Sequence, residues 1–326
     1  MIMGRNIDGT LVQWGDRLFY PANRILPADP PPRLQARANA IRGRISALVR
    51  RVPQVIVKVS GGGRGMGAIT DHLRYITRSG TLEFEDDRGT VREGKEALRD
   101  LLDGWRHGGR FIAEVENRRE AVNLMLALPK GNYAEGVRRA VREFAKTELA
   151  GHRYVMVLHK HQASPHVHLC VKRESIAGER LSCGMPDLKR WRQTFAQNLR
   201  AQDIEAEATS QVARGATRNF DSLWRMKARD EGRLKTSLRP TKTGPVAEQT
   251  RADAMNCWAH ILKALGESEL EADRELSMQV ADFICRTPYI KEVLSRRPGV
   301  LPEVGQYLEA QQRSVTHVRP GPERER

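Results

Sequence analysis

Two short apolar runs stand either side of a polar decapeptide. Arg153 to Leu158 reads RYVMVL and Val167 to Val171 reads VHLCV. Both runs are brief and rich in β-branched residues, which predicts two strands joined by a turn. Side chains alternate faces along a strand, so Val167, Leu169 and Val171 are expected in a core while His166 and His168 share the opposite face. Gln54–Val59 (QVIVKV) and Ala121–Leu128 (AVNLMLAL) read as two further strands.

Helical spacing marks the stretches between them. Ile69, Leu73 and Ile76 form one stripe, closed by Gly80. Residues 95–107 read as a helix. Val137, Val141 and Phe144 face inward over 133–149, and Leu188, Trp191, Phe195 and Leu199 do so over 187–201. Residues 81–93 are acidic and read as an excursion. The order strand, helix, helix, strand, helix, strand, strand, helix predicts an α+β fold with a central antiparallel sheet flanked by helices, not a doubly wound one.

Outside this block, Leu34, Ile41, Ile45 and Leu48 give residues 33–51 a basic amphipathic helix. It either tracks phosphates or is an ordinary solvated face. Residues 225–251 read as a linker, residues 252–313 as mostly helical, and the tail as charged. The expected division is 1–52 as a basic N-terminal extension, 53–220 as the main domain, and 221–326 as linker plus helical C-terminal region.

Charge narrows the partner. The chain has 326 residues, 55 Lys and Arg against 40 Asp and Glu, and a formal net charge of +15. That excess points to a polyanion, most simply nucleic acid, against the alternative of a basic solubility surface. Cys170, Cys183, Cys257 and Cys285 form no Cys-x-x-Cys pair, which fits a reducing cytosol and gives no zinc-finger signature. No run approaches 18 apolar residues, so no membrane span is expected.

The polar decapeptide, His159 to His168, reads HKHQASPHVH and holds four of the nine histidines. A lone His-x-His equally fits two ordinary histidines. His159, across the turn, completes a three-imidazole cluster suited to a catalytic divalent metal. Residues 60–68 (SGGGRGMGA) form a glycine-rich loop that brings backbone close to something, plausibly phosphate, although no Gly-Lys-Ser/Thr closes it. Tyr75 lies on the polar face of its helix between Arg74 and Arg78. It is either a surface tyrosine or one whose phenolate and phosphate are favoured by cations.

Together these pieces resemble the conjugative relaxases. HKHQASPHVH looks like their third motif and, more broadly, like the His-hydrophobic-His endonucleases. DHLRYITRSGTLEFE, residues 71–85, looks like the first motif of P-type mobilisation relaxases such as the T-DNA border nickase, where a tyrosine on the first helix precedes a basic residue and a glycine. The resemblance covers residues 53–220 and implies a relaxase-type palm. It implies Tyr75 as nucleophile, His159, His166 and His168 as ligands of Mg2+ or Mn2+, and Arg64, Arg74 and Arg78 as DNA contacts. The family usually has an acidic residue two after the first histidine, where this chain has His161. That residue either takes over the catalytic task, adds a ligand, or faces solvent.

The implied reaction nicks single-stranded DNA at a transfer origin and leaves a 5′-phosphotyrosyl adduct. The implied partners are a relaxosome accessory protein and a type IV coupling protein. The implied location is the bacterial cytoplasm, with export covalently bound to DNA. A histidine-triad nucleotide hydrolase leaves Tyr75 unexplained and has Cys170 where a third histidine belongs. A rolling-circle replication initiator shares the chemistry. A non-catalytic DNA-binding accessory protein with a decayed site is the reading that His161 keeps open.

Overall fold

The computed structural model describes residues 6–20, 31–129, 131, 133–160, 165–219, 225, 228–229, 231–234 and 239–296. The chain divides into two compact units, residues 52–208 and residues 1–51 with 209–326.

The unit of residues 52–208 is an α+β layer. Its elements are β1 (Ile56–Gly61), α3 (Met66–Ile76), β2 (Phe84–Asp86), β3 (Val91–Arg92), α4 (Lys95–His107), β4 (Ala121–Ala127), α5 (Ala134–Glu148), β5 (Tyr154–His159), β6 (His166–Lys172) and α6 (Met185–Arg200). The strands form one six-stranded sheet in the order β1-β4-β6-β5-β2-β3, and every neighbouring pair is antiparallel. The short link between β5 and β6 makes them a hairpin, and β4 lies on the far side of β6.

Alternation along these strands builds two cores. Val122, Leu124 and Leu126 of β4, Tyr154 and Met156 of β5, and Val167, Leu169 and Val171 of β6 pack with Val137, Val141 and Phe144 of α5 and with Trp191, Phe195 and Leu199 of α6. The opposite face supplies Ala121, Val155, Val157 and Cys170, which pack with Ile69, Leu73 and Ile76 of α3 and with Leu98, Leu101 and Trp105 of α4. Leu124, Val141, Phe144, Leu169 and Trp191 are all fully buried.

The acidic stretch 81–93 departs from expectation. It forms β2 and β3 and extends the sheet, with β2 paired to β5. Its carboxylates are structural. Glu85 is buried and takes a two-point bond from Arg142 of α5, at 2.6 and 2.7 Å. Asp86 accepts the amides of Arg88 and Thr90, each at 3.0 Å, and so closes the β2–β3 turn.

The other unit is helical. It contains α1 (Ile7–Phe19), α2 (Pro31–Val49), α7 (Pro245–Gly266), α8 (Glu271–Cys285) and α9 (Pro288–Arg296). Leu11, Ile45, Trp258, Ile261 and Val280 share its core, so the N-terminal helices pack with the C-terminal region instead of standing as a separate extension. The basic face of α2 is partly spent on this packing. Arg42 pairs with Asp8 and Asp273, and Arg37 pairs with Asp16. No helix among the described residues is long and apolar enough to cross a membrane.

Candidate active site

The hairpin register brings the histidines together. His159 stands opposite His166 across the β5–β6 pair, and Val157 stands opposite His168. Cross-strand partners share a face, as do residues two apart on one strand. Ring centroids are 5.2 Å apart for His159 and His166, 4.7 Å for His159 and His168, and 5.0 Å for His166 and His168. One ring nitrogen from each lies within 4.8 Å of the others. All three side chains are buried.

Protonation and hydrogen bonding suit this cluster to a cation. Burial first, then the neighbouring His159, His166 and His72, lowers the pKa of His168 to about 3, so its imidazole is neutral at physiological pH. Its Nδ1 is buried without a hydrogen-bond partner among the described residues. A buried imidazole nitrogen left unpaired is costly, and a metal ion is one group that satisfies it. His159 Nε2 lies 2.7 Å from the carbonyl oxygen of Ile76. A carbonyl only accepts, so Nε2 carries a proton, and in the neutral ring the lone pair is on Nδ1. Outer bonds of this kind fix the tautomer and ring orientation of a histidine that ligates a metal. Three imidazoles converging on one point are a ligand set that could hold a divalent cation.

That Ile76 carbonyl ties the histidines to the tyrosine helix. Ile76 is the last residue of α3 and follows Tyr75. Leu73 and Ile76 are fully buried while Tyr75 is 70% exposed, so the helix presents the phenol to solvent. The turn after it is left-handed at Arg78 (φ 50°), Ser79 (φ 58°) and Gly80 (φ 87°). Two successive non-glycine residues in that region cost roughly 1–2 kcal/mol each. Thr77 offsets part of this cost. Its buried hydroxyl donates to Leu73 O at 2.7 Å and accepts the Gly80 amide at 3.1 Å. The negative end of the helix dipole opposes a phenolate at this position. Arg74 and Arg78, both exposed, supply charge of the opposite sign.

Arg64 is exposed on the glycine-rich loop. The loop's glycines serve packing. A Cβ at Gly62 would lie 2.4 Å from Ala121 O, one at Gly63 2.5 Å from the Ile69 side chain, and one at Gly65, with φ +87°, 2.4 Å from Glu114 O. The backbone of these three glycines approaches the protein's own β4, α3 and Glu114. His161 lies outside the described residues.

Sequence reasoning passed over His72, three residues before Tyr75 on α3. Its ring centroid is 6.5 Å from that of Tyr75, its Nε2 is buried without a hydrogen-bond partner among the described residues, and burial lowers its pKa. The i, i+3 spacing from Tyr75 was the available signal.

Residues 83–204 match a family model described as Relaxase: MobA/VirD2-like, nuclease domain. This stretch is similar to the relaxase nuclease domains that the family model describes. It runs from β2 to the end of α6, includes the whole histidine hairpin, and begins after Tyr75. A domain of that kind implies DNA binding. No curated protein matches the chain.

Proposed function

We propose that the chain is a DNA relaxase that nicks one strand at a transfer origin by metal-dependent transesterification. The observation that carries this reading is the 2.7 Å bond from His159 to the carbonyl of Ile76, which holds the histidine cluster against the end of the helix bearing Tyr75. His159, His166 and His168 would hold Mn2+ or Mg2+. Such an ion supplies Lewis-acid polarisation of a phosphodiester oxygen and stabilises charge in the transition state.

The side chains of this domain do the rest. Tyr75 Oη attacks the phosphorus in line. The new Oη–P bond forms as the P–O3′ bond breaks, and the leaving 3′-oxygen takes up a proton. The phenol proton passes to a base, for which His161 is the candidate. The products are a 5′-phosphotyrosyl strand and a 3′-hydroxyl, and the phosphodiester energy is kept for religation. Arg64, Arg74 and Arg78 hold neighbouring phosphates, with salt-sensitive affinity. The domain that carries this chemistry spans residues 53–220. The helical remainder docks a type IV coupling protein and a relaxosome accessory protein, and the adduct leaves the cytoplasm with the DNA.

The test is metal-dependent nicking of oligonucleotides that tile the DNA upstream of the gene. Adduct should form with Mn2+ or Mg2+ and be lost when a chelator removes the metal. Cleavage that persists with His159, His166 and His168 all replaced by Gln would refute the metal assignment.

A further inference from the structure

A second feature of the nuclease unit lies on the other face of the sheet, near the opposite end of β6 from His166. Val59 of β1 and Val122 of β4 form the floor of a cavity of about 330 Å³, walled by Arg119, Arg173, Cys183 and Gly184. Val122 belongs to the core under α5 and α6, whereas the histidines share the face that α3 and α4 cover. The cavity is therefore separate from the candidate active site.

Its charge is uncompensated. The Arg119 side chain makes no hydrogen bond or ion pair among the described residues, and only its backbone carbonyl is used, by Arg180 at 2.7 Å. Arg173 spends its Nε on Leu181 O at 3.2 Å and keeps its two terminal nitrogens. The nearby carboxylates are engaged elsewhere. Glu120 binds Arg118 at 2.5 Å, and Glu174 binds Arg118 and Arg110 at 3.3 and 3.4 Å. Asp187 accepts from Ser182 Oγ at 2.6 Å and the Gly184 amide at 3.0 Å, and pairs with Arg190 at 3.1 Å. The hydroxyl and the helix-capping amide are thus already used, and the two guanidiniums remain. Among the described residues neither guanidinium is paired with a carboxylate, Asp187 at the cavity's edge being held by Ser182, Gly184 and Arg190, and a planar fork suits phosphate. Val59, only partly buried, offers an apolar contact beside it. The volume falls at the lower end of ordinary small-molecule sites, roughly 300–1,000 Å³.

We propose that this cavity takes one nucleotide unit, with its phosphate between Arg119 and Arg173 and its base against Val59 and Val122. The unit comes either from an unpaired position of the bound DNA strand or from a free nucleotide. The DNA source rests on the relaxase reading, and the binding chemistry does not.

The experiment titrates the full chain, by calorimetry, with inorganic phosphate, with each deoxynucleoside monophosphate, and with oligonucleotides carrying a single abasic site at successive positions. Arg119 is exposed, so Arg119→Ala should fold as the parent does. The expected result is saturable monophosphate binding that weakens at least tenfold in Arg119→Ala, with Arg173→Lys intermediate. If DNA is the source, Arg119→Ala also weakens oligonucleotide binding, and an abasic site at one position abolishes that difference. Monophosphate binding with unchanged oligonucleotide affinity would assign a free nucleotide and overturn the DNA source. Inorganic phosphate binding as tightly as the monophosphates would overturn the base seat. Monophosphate binding that is absent, or indifferent to Arg119→Ala, would overturn the site. Adduct formation by Tyr75 is measured separately in the parent chain, so failure of this site and failure of the relaxase reading stay distinct.

Discussion

The two faces of β6 divide one strand between stability and chemistry. Val167, Leu169 and Val171 point under α5 and α6 and are fully buried among apolar side chains. His166 and His168 alternate with them and point the other way, toward His159. Both sets are buried, but only one leaves a polar atom unsatisfied, at His168 Nδ1. A strand's period of two therefore lets one short segment anchor a core and hold ligands rigidly. Ligands set on a central strand cannot drift without disturbing the packed face behind them.

Substitution should separate the faces most sharply. Leu169→Ala removes a fully buried side chain and is expected to cost about 2–5 kcal/mol in urea denaturation. His168→Gln keeps bulk on the other face and should change stability by less than about 1 kcal/mol, as volume-conserving changes do. It should weaken Mn2+ binding at least about 100-fold, the upper end of what losing even an outer-shell partner costs. Equal stability losses in the two variants would erase the distinction.

The next effect lies at the sheet edge. Arg142→Ala leaves the buried Glu85 carboxylate without its two-point partner and should cost about 1–3 kcal/mol. The double variant Arg142→Ala with Glu85→Gln should recover part of that loss. No recovery would mean that the pair does not hold β2 against α5.

Acid should act through the histidine face. The His168 pKa falls from an ordinary 6.5 in the unfolded chain to about 3 in the folded one. Between those values the unfolded chain binds the extra proton, so metal-free stability is lost as pH drops below about 6.5. The slope approaches 1.4 kcal/mol per pH unit per proton. His168→Gln should flatten that slope, and an unchanged pH profile would count against a buried neutral imidazole.

The smallest expected change is at Arg78. Arg78→Gly relieves a left-handed residue at φ 50° and removes a cation beside Tyr75. Stability should rise or stay level, within about 1 kcal/mol. Affinity for single-stranded DNA should fall, with a shallower salt dependence.

Much of this was legible in the sequence. The strands around the histidines have strong period-two patterns, and α3, α5 and α6 carry clear apolar stripes. The histidine cluster followed from alternation and one turn. Three things were not legible, each for a physical reason. β2 and β3 span only three and two residues and β2 carries two carboxylates, and they form because β5 offers an unpaired edge and Arg142 neutralises Glu85. The glycine-rich loop looked like a ligand cradle because a sequence records that side chains are missing, not what occupies the space. The partner of His159 is a backbone carbonyl, which every residue has, so no residue type could announce it.

The central claim is that Tyr75 and the three histidines form one reaction centre. The direct test is a denaturing protein gel after incubation with Mn2+ and a 5′-end-defined oligonucleotide containing the nick site. The account predicts a DNA-shifted band that requires metal, disappears with Tyr75→Phe, and disappears with His159→Gln. A band that survives Tyr75→Phe, or DNA binding without any adduct under every metal tried, would contradict it.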